Sequence, residues 1–360
     1  MDDLDPTSRG NVMKAVVMRW VARYLSSDEA VALLVWLVIG FTLVAQLGHF
    51  LAPLLASIVL AYLLHGIIRK CQPYMGYWPA LIGIYTLFLG VFFGGLFFLT
   101  PILGQQLANL LAQLPKMGGR VEELIMRLPA DYRVYLGVDH VQTLVESFWG
   151  DLRSLGKTAL SMSLASIPGL ITCVLYLILI PLMVFFFLKD YPIMLRYMER
   201  FVPQKHTALT KIWQEVDLQL GHYIRGKFIE ALFVGVATYI GFWVFQLQYS
   251  VLLAFLVGIA VFVPYVGAVL VTVPVVIVAL FQWGVNHTFV EAMVVFGIIQ
   301  QLDTSVVVPL LFAEAVSLHP IIIVMAILGF GSLWGLWGMF FAIPLAVFCR
   351  AVLDAWPRSV

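Results

Sequence analysis

Residues 300–305 read Gln300-Gln301-Leu302-Asp303-Thr304-Ser305. A carboxylate flanked by amides and hydroxyls can carry a proton, hold a cation or accept hydrogen bonds from a hydroxylated solute. The surroundings give the group its weight. From Ala231 to Cys349 there is no Lys or Arg, and the formal charges are Glu291, Asp303 and Glu314. Glu291 and Glu314 fall near the two ends of an apolar stretch over 288–312, whereas Asp303 falls well inside it. An ionisable group at that depth in hydrocarbon is expensive and by default functional; the alternative is a protonated acid bonded to a neighbouring helix.

Two interrupted elements flank this stretch. Val251–Val263 and Val266–Leu280 are apolar arms separated by Pro264-Tyr265. At about 1.5 Å per residue the first arm reaches roughly 20 Å, short of a hydrocarbon core of about 30 Å. Proline also lacks the amide hydrogen that would continue a helix. The pattern predicts a re-entrant hairpin entering from outside, with its tip at Pro264-Tyr265-Val266-Gly267. A second pair of arms, 317–328 and 339–349, is separated by a loop over Gly329–Gly338. This hairpin would dip in from the cytoplasmic side, with Gly329, Gly331, Ser332 and Gly335 at its tip. Four thin but complete spans are the alternative, with the same parity. A helix followed by a hairpin, twice and in opposite orientation, is an inverted repeat of the kind that meets near the midplane in transporters. Non-helical backbone at that depth is tolerated only where it is buried or lines a wet cavity. The two tips are therefore expected to flank a site near Asp303, with Gln300, Gln301, Thr304 and Ser305 adding neutral hydrogen bonds.

The elements that position these residues follow from composition. Of 360 residues, 62% are hydrophobic and 11% charged, against about 25% charged in an ordinary soluble domain. The mean hydropathy is +0.98. These values exclude a soluble globular domain, a disordered chain and a disulfide-stapled scaffold. They define an all-α polytopic membrane protein. A net charge of +1 implies no nucleic-acid partner. Cys71, Cys173 and Cys349 are scattered, so neither a disulfide nor a metal site is expected. Gly150–Thr158 is a near-miss for a phosphate-binding loop, with its first glycine one position early and no strand before it. There is no His-Glu-x-x-His and no Gly-x-Ser-x-Gly, so neither an enzyme nor a bound cofactor is expected.

Charge-free runs set the organisation. Ala30–Ile68 is uncharged over 39 residues and reads as two spans, about 30–47 and 51–68, with a turn at Gly48-His49-Phe50 before Pro53. Further spans are expected at 78–103, 159–188, 228–246 and 288–312, giving about six in all beside the two hairpins. Residues 1–29 read as a cytoplasmic interfacial helix, with Met13, Val17, Trp20 and Tyr24 at helical spacing among basic residues. The polar region 104–157 is expected outside as a helical module. Its segment Lys116–Lys157 carries six basic and six acidic residues. Residues 189–227, with seven basic and four acidic, are expected inside by the positive-inside rule. The transport core is then 228–350, with a cytoplasmic tail over 351–360.

The motifs of the last third also carry a resemblance. Phe262-Val263-Pro264-Tyr265-Val266-Gly267 resembles the Pro-Tyr-hydrophobic-Gly signature of the AI-2E transporter family. Gln300-Gln301-Leu302-Asp303 followed by Pro309 is similar to another of its motifs. So is His319-Pro320 followed by Gly329, Gly331, Gly335, Gly338 and Pro344. Tyr223-Ile224-Arg225-Gly226-Lys227 resembles the family's entry to its fifth main span. Phe330, where the family often has a second glycine, and Ala313, where it often has glycine after the closing proline, depart from the pattern. The resemblance implies export or uptake of the furanone signal autoinducer-2, or sodium/proton antiport as in some members. It also implies a bacterial inner membrane and a homo-oligomer, with a pentamer among the options, while span parity and charge place both termini in the cytoplasm. Taken together, the expectation is a secondary transporter or facilitator for a small polar solute or ion, working by alternating access among membrane lipid. A membrane scaffold built on the two polar modules is the rival from another class.

Overall fold

The structure is a computed structural model that describes residues 28–126, 167–199, 207–264, 266–312 and 318–354. Among the described residues all regular structure is helical. The helices are α1 (Asp28–Met75), α2 (Tyr77–Met126), α3 (Ile167–Glu199), α4 (Thr207–Val244), α5 (Ser250–Ala260), α6 (Val266–Trp283) and α7 (His287–Leu302). A π-helical turn over Asp303–Val307 leads into α8 (Val308–Phe312), followed by α9 (Pro320–Trp334), α10 (Leu336–Phe340) and α11 (Ala342–Asp354). Among the described residues six segments are long and apolar enough to cross a bilayer: Pro53–Met75, Tyr77–Gln113, Val174–Met194, Val216–Val244, Val266–Trp283 and His287–Phe312. Large apolar side chains such as Leu87, Phe97, Leu232 and Trp243 stand exposed along them, as a lipid-facing surface requires.

The helices run further than the charge map suggests. No turn exists at Gly48-His49-Phe50, and α1 is one rod of 48 residues where two spans are expected. A single glycine in a helix costs only about 1 kcal/mol, and α1 runs on through Pro53 as well. The helix breaks instead at Gly76, whose φ of 80° suits glycine and whose amide donates to the Gln72 carbonyl at 2.9 Å. The polar region after Leu103 begins as a continuation of α2, and the described residues of the expected basic module, 189–199 and 207–227, are the end of α3 and the start of α4. The interfacial helix before Asp28, the greater part of the external module, the phosphate-loop near-miss, Tyr265 and Glu314 lie outside the described residues.

The second hairpin also differs. Gly329–Trp334, expected as loop, is the end of α9. Its break is the single residue Gly335, with φ 60° and ψ −134°, a region open essentially to glycine. A five-residue helix and a second break at Phe341 follow before α11. Glycine-rich backbone stays helical where water does not reach its carbonyls and amides, as in a membrane.

The chain forms two compact units, one from residues 1–63, 183–224 and 312–360, the other from 64–182 and 225–311. The core of the second unit joins Val234 and Phe242 of α4, Leu253 and Val257 of α5, Val275 and Val278 of α6 and Phe296 of α7. There α5 lies antiparallel against α4. A Cβ on Gly258 would sit 3.1 Å from the Ala231 carbonyl, so small residues let the two backbones touch. The first unit packs Tyr223, Leu318, Ile343, Ala346 and Val347, with the Tyr223 ring 5.8 Å from that of Phe312.

Candidate functional site

Helix α4 buries one stripe of side chains: Tyr223, Lys227, Glu230, Val234, Thr238 and Phe242. Their spacing of three and four residues is that of a single helix face. Two members of the stripe are charged. Lys227 and Glu230 are 7% and 2% exposed, inside the apolar segment Val216–Val244. The Lys227 ammonium lies 2.9 Å from one carboxylate oxygen of Glu230 and donates to the other at 3.0 Å. It also donates to the backbone carbonyl of Val261 at 3.1 Å. A buried pair is a poor source of stability, because desolvating two ions offsets most of their attraction. Its presence within a membrane segment is therefore a functional signal.

Asp303 joins the pair. Its charge acts on Glu230, and that of Lys227 acts on it. One Asp303 carboxylate oxygen is buried with no hydrogen-bond partner among the described residues. The cluster holds one base, Lys227, and two acids, Glu230 and Asp303, a formal charge of +1 − 2 = −1. One proton or monovalent cation would make it neutral.

Asp303 also opens the π-helical turn, in which the Val308 amide donates to the Asp303 carbonyl five residues back. Such bulges insert one residue into a helix, re-aim its side chains and cluster at functional sites. The neighbours on this turn face elsewhere. The Thr304 hydroxyl donates back to the Gln300 carbonyl at 3.0 Å, and the Gln301 amide donates to the Ser305 hydroxyl at 2.6 Å. Thr304, Ser305 and Gln301 are exposed and Gln300 is half-buried.

The first hairpin brings its tip to the cluster. Arm α5, at 11 residues, is about 16 Å long and cannot cross a core of about 30 Å. The Phe262 ring meets Phe228 of α4 edge-on at 5.5 Å, beside the Lys227–Val261 contact. Pro264 is half-buried, and its carbonyl accepts from the Val266 amide at 2.6 Å. Gly267 is packed so closely that a Cβ would overlap the Ala260 carbonyl. At the other end of α5, Gln106 of α2 accepts from the Leu252 amide at 2.8 Å, and Gln113 hydrogen-bonds Tyr249.

The second tip belongs to the other unit and is built on similar lines. The Ser332 hydroxyl donates to the Gly329 carbonyl at 2.8 Å, and the Gly335 amide donates to the Gly331 carbonyl at 2.7 Å. A Cβ on Gly338 would overlap the Phe330 carbonyl, as one on Gly267 would that of Ala260. At Gly331 a Cβ would come within 2.9 Å of the Met339 side chain.

Lys227 and Glu230 are the site residues that the sequence pattern hides. Both end the polar stretch immediately before the charge-free run, so they read as its border. The signal that could have found them is the lack of any proline from Thr207 to Val244. An unbroken helix there carries Lys227 and Glu230, three residues apart, into the bilayer on one face.

Long apolar helices, an interrupted hairpin and a buried charge cluster at its tip define an integral membrane protein of the transport class. The family model for the AI-2E family transporter matches residues 31–358, and the chain belongs to that family. It is 42% identical over 347 residues to the "Putative permease PerM" of Escherichia coli (strain K12), covering 96% of this chain and 98% of that protein. It is 27% identical over 308 residues to the "Putative transport protein YueF" of Bacillus subtilis (strain 168), covering 83% and 82%. The same organism's "Putative transport protein YrrI" is 26% identical over 314 residues, covering 84% and 85%.

Proposed function

We propose that this chain is a secondary transporter that moves a small polar solute by alternating access, coupled to a proton or cation bound at Lys227, Glu230 and Asp303. The observation that carries the reading is the formal −1 charge of that buried cluster against the tip of an interrupted hairpin. A membrane segment tolerates such a group when a mobile positive charge completes it during the cycle. The tip backbone at Pro264 and Gly267 and the hydroxyls of Thr304 and Ser305 would supply hydrogen bonds along the pathway. Autoinducer-2, a furanone rich in hydroxyls, has the chemistry such a pathway takes. The working form would be a homo-oligomer in a bacterial inner membrane.

Sodium/proton antiport is the second reading. What favours it is the competition of two carboxylates for one ammonium, which lets a proton and a cation exchange on the same oxygens. Proteoliposomes loaded with a pH-sensitive dye separate the two. Proton movement on adding sodium alone supports antiport. Proton movement only when a furanone solute is added supports coupled solute transport. No movement in either arm, with protein correctly inserted, would return the chain to the scaffold reading.

A further inference from the structure

Val261 is the first residue beyond α5, and the last carbonyls of a helix have no partner within it. At this end the neighbouring carbonyls are satisfied locally. The Phe262 amide donates to Ile259 at 3.1 Å, the Val263 amide to Ala260 at 3.0 Å and the Gly267 amide to Val263 at 2.9 Å. The Val261 carbonyl instead takes the ammonium of Lys227, a side chain from another helix. A cation at the C-terminal end of α5 is also favoured by the helix dipole. The hairpin itself, 250–283, contains no charged residue. The ionic groups set against the Lys227 ammonium include Glu230 on its own helix and Asp303 on the acid-bearing helix. Arg225, two residues earlier, packs against Gly66 instead.

We propose that Lys227 is a movable tether for the first hairpin: it holds the tip through the Val261 carbonyl while Glu230 is ionised, and releases it when a proton or cation occupies Glu230. The inference rests on the reading of the cluster as the loading site. Glu230 keeps the ammonium at 2.9–3.0 Å, and from that position it reaches Val261. A proton or monovalent cation on Glu230 cancels the carboxylate charge that holds the ammonium there, and Asp303 remains as an anion for it to approach. Lysine suits the task, since it is a compact charge with three donors on a flexible stem. Without the tether the tip keeps the Phe228–Phe262 ring contact and loses the hydrogen bond from Lys227 to the Val261 carbonyl. Lys227 is then a positioning residue, one that converts the charge state of Glu230 into freedom of the tip.

The test uses Val263→Cys in full-length protein in nanodiscs, with Cys71, Cys173 and Cys349 replaced by serine. Maleimide labelling, normalised at each pH to that of the denatured protein because the thiolate is the reacting form, is measured across pH and sodium concentration, with radioactive sodium binding measured on the same samples. Labelling should rise several-fold at low pH or high sodium when Lys227 is present. It should be uniformly high, and indifferent to both, in Lys227→Met. If Lys227→Met does not fold, Glu230→Gln reads the same contact and should also label fast. Equal labelling with and without Lys227 overturns the tether. Labelling that rises in Lys227→Met but ignores pH and sodium in the parent overturns its release. In either failure, sodium binding or proton flux that persists leaves the cluster as the loading site, and its loss removes that reading too.

Discussion

Gly267 sits against the backbone carbonyl of Ala260 across the turn of the first hairpin, with no space between them for a Cβ. The obstacle is backbone, which cannot step aside as a flexible side chain would. Gly267→Ala should therefore destabilise the protein by about 1–3 kcal/mol, the usual cost of overpacking, and Gly267→Leu by more. Gly329 is the matched control. It is helical and has nothing within 4 Å of a Cβ position, so Gly329→Ala should be neutral or stabilising by up to about 1 kcal/mol. Thermal unfolding midpoints in detergent decide between them. Equal midpoints for the two alanine variants would mean that the first tip is not closed as described.

The ion pair on α4 should be asymmetric to mutation. Lys227→Met leaves the carboxylate of Glu230, 2% exposed, without its base, a loss of about 3–5 kcal/mol. Glu230→Gln leaves the ammonium facing the charge of Asp303, and should cost less. The double variant should regain most of what Lys227→Met loses, because no unpaired charge then remains on α4. Unfolding midpoints of the three variants complete the cycle. Simple additivity would show that the two residues do not act as a pair.

Much of this arrangement is legible in the sequence, for physical reasons that also set its limits. The first hairpin is readable because Pro264 interrupts two apolar arms, and the observed breaks fall within a few residues of those expected. The Gly329–Gly338 stretch misleads. Glycine lowers helix propensity, but burial in the membrane makes an open loop costlier than a glycine-rich helix. Asp303 stands out by its isolation, yet isolation is measured along the chain. Its base, Lys227, is 76 residues away in sequence (303 − 227) and arrives only through folding. The π-helical turn at Asp303 leaves no mark in composition at all.

The base of the first hairpin should loosen when its clasp is removed. Gln106 of α2 supplies the acceptor for the Leu252 amide, one of the first-turn amides of α5 that no helical carbonyl can reach. Gln106→Leu keeps the bulk and deletes the acceptor, at a cost of about 1–3 kcal/mol for the stranded amide. Hydrogen exchange should speed up at the start of α5 and stay unchanged in α7. Unchanged exchange at Leu252 would show that α2 does not hold the hairpin.

Sidedness is testable without a substrate. A single apolar segment, Val174–Met194, separates the polar stretch up to 157 from the basic stretch after 195, so the two should lie on opposite faces. The absence of a turn near His49 does not alter this, since both stretches follow Met75. With the native cysteines removed, an impermeant maleimide applied from outside should label Arg133→Cys strongly and Lys205→Cys not at all. The reverse pattern would invert the topology, and labelling of both would remove the span between them.

Asp303→Asn should separate the chemistry of the cluster from its structure. The buried oxygen of Asp303 has no hydrogen bond to lose, and asparagine is a neutral group of the same shape. The change takes the cluster from a formal −1 to zero, with Lys227 still held by Glu230. Unfolding midpoints should be no lower than those of the parent. Proton or sodium coupling should nevertheless disappear, because a neutral cluster has no place for a further positive charge. If the driving ion is a proton, exchange of solute without a gradient should survive while accumulation is lost. If it is sodium, dependence on sodium should go. The pairing of intact stability with lost coupling is what distinguishes an ion-binding acid from a structural one. Normal flux of Asp303→Asn at every pH and sodium concentration would make Asp303 a structural acid and leave Glu230 alone to carry the ion.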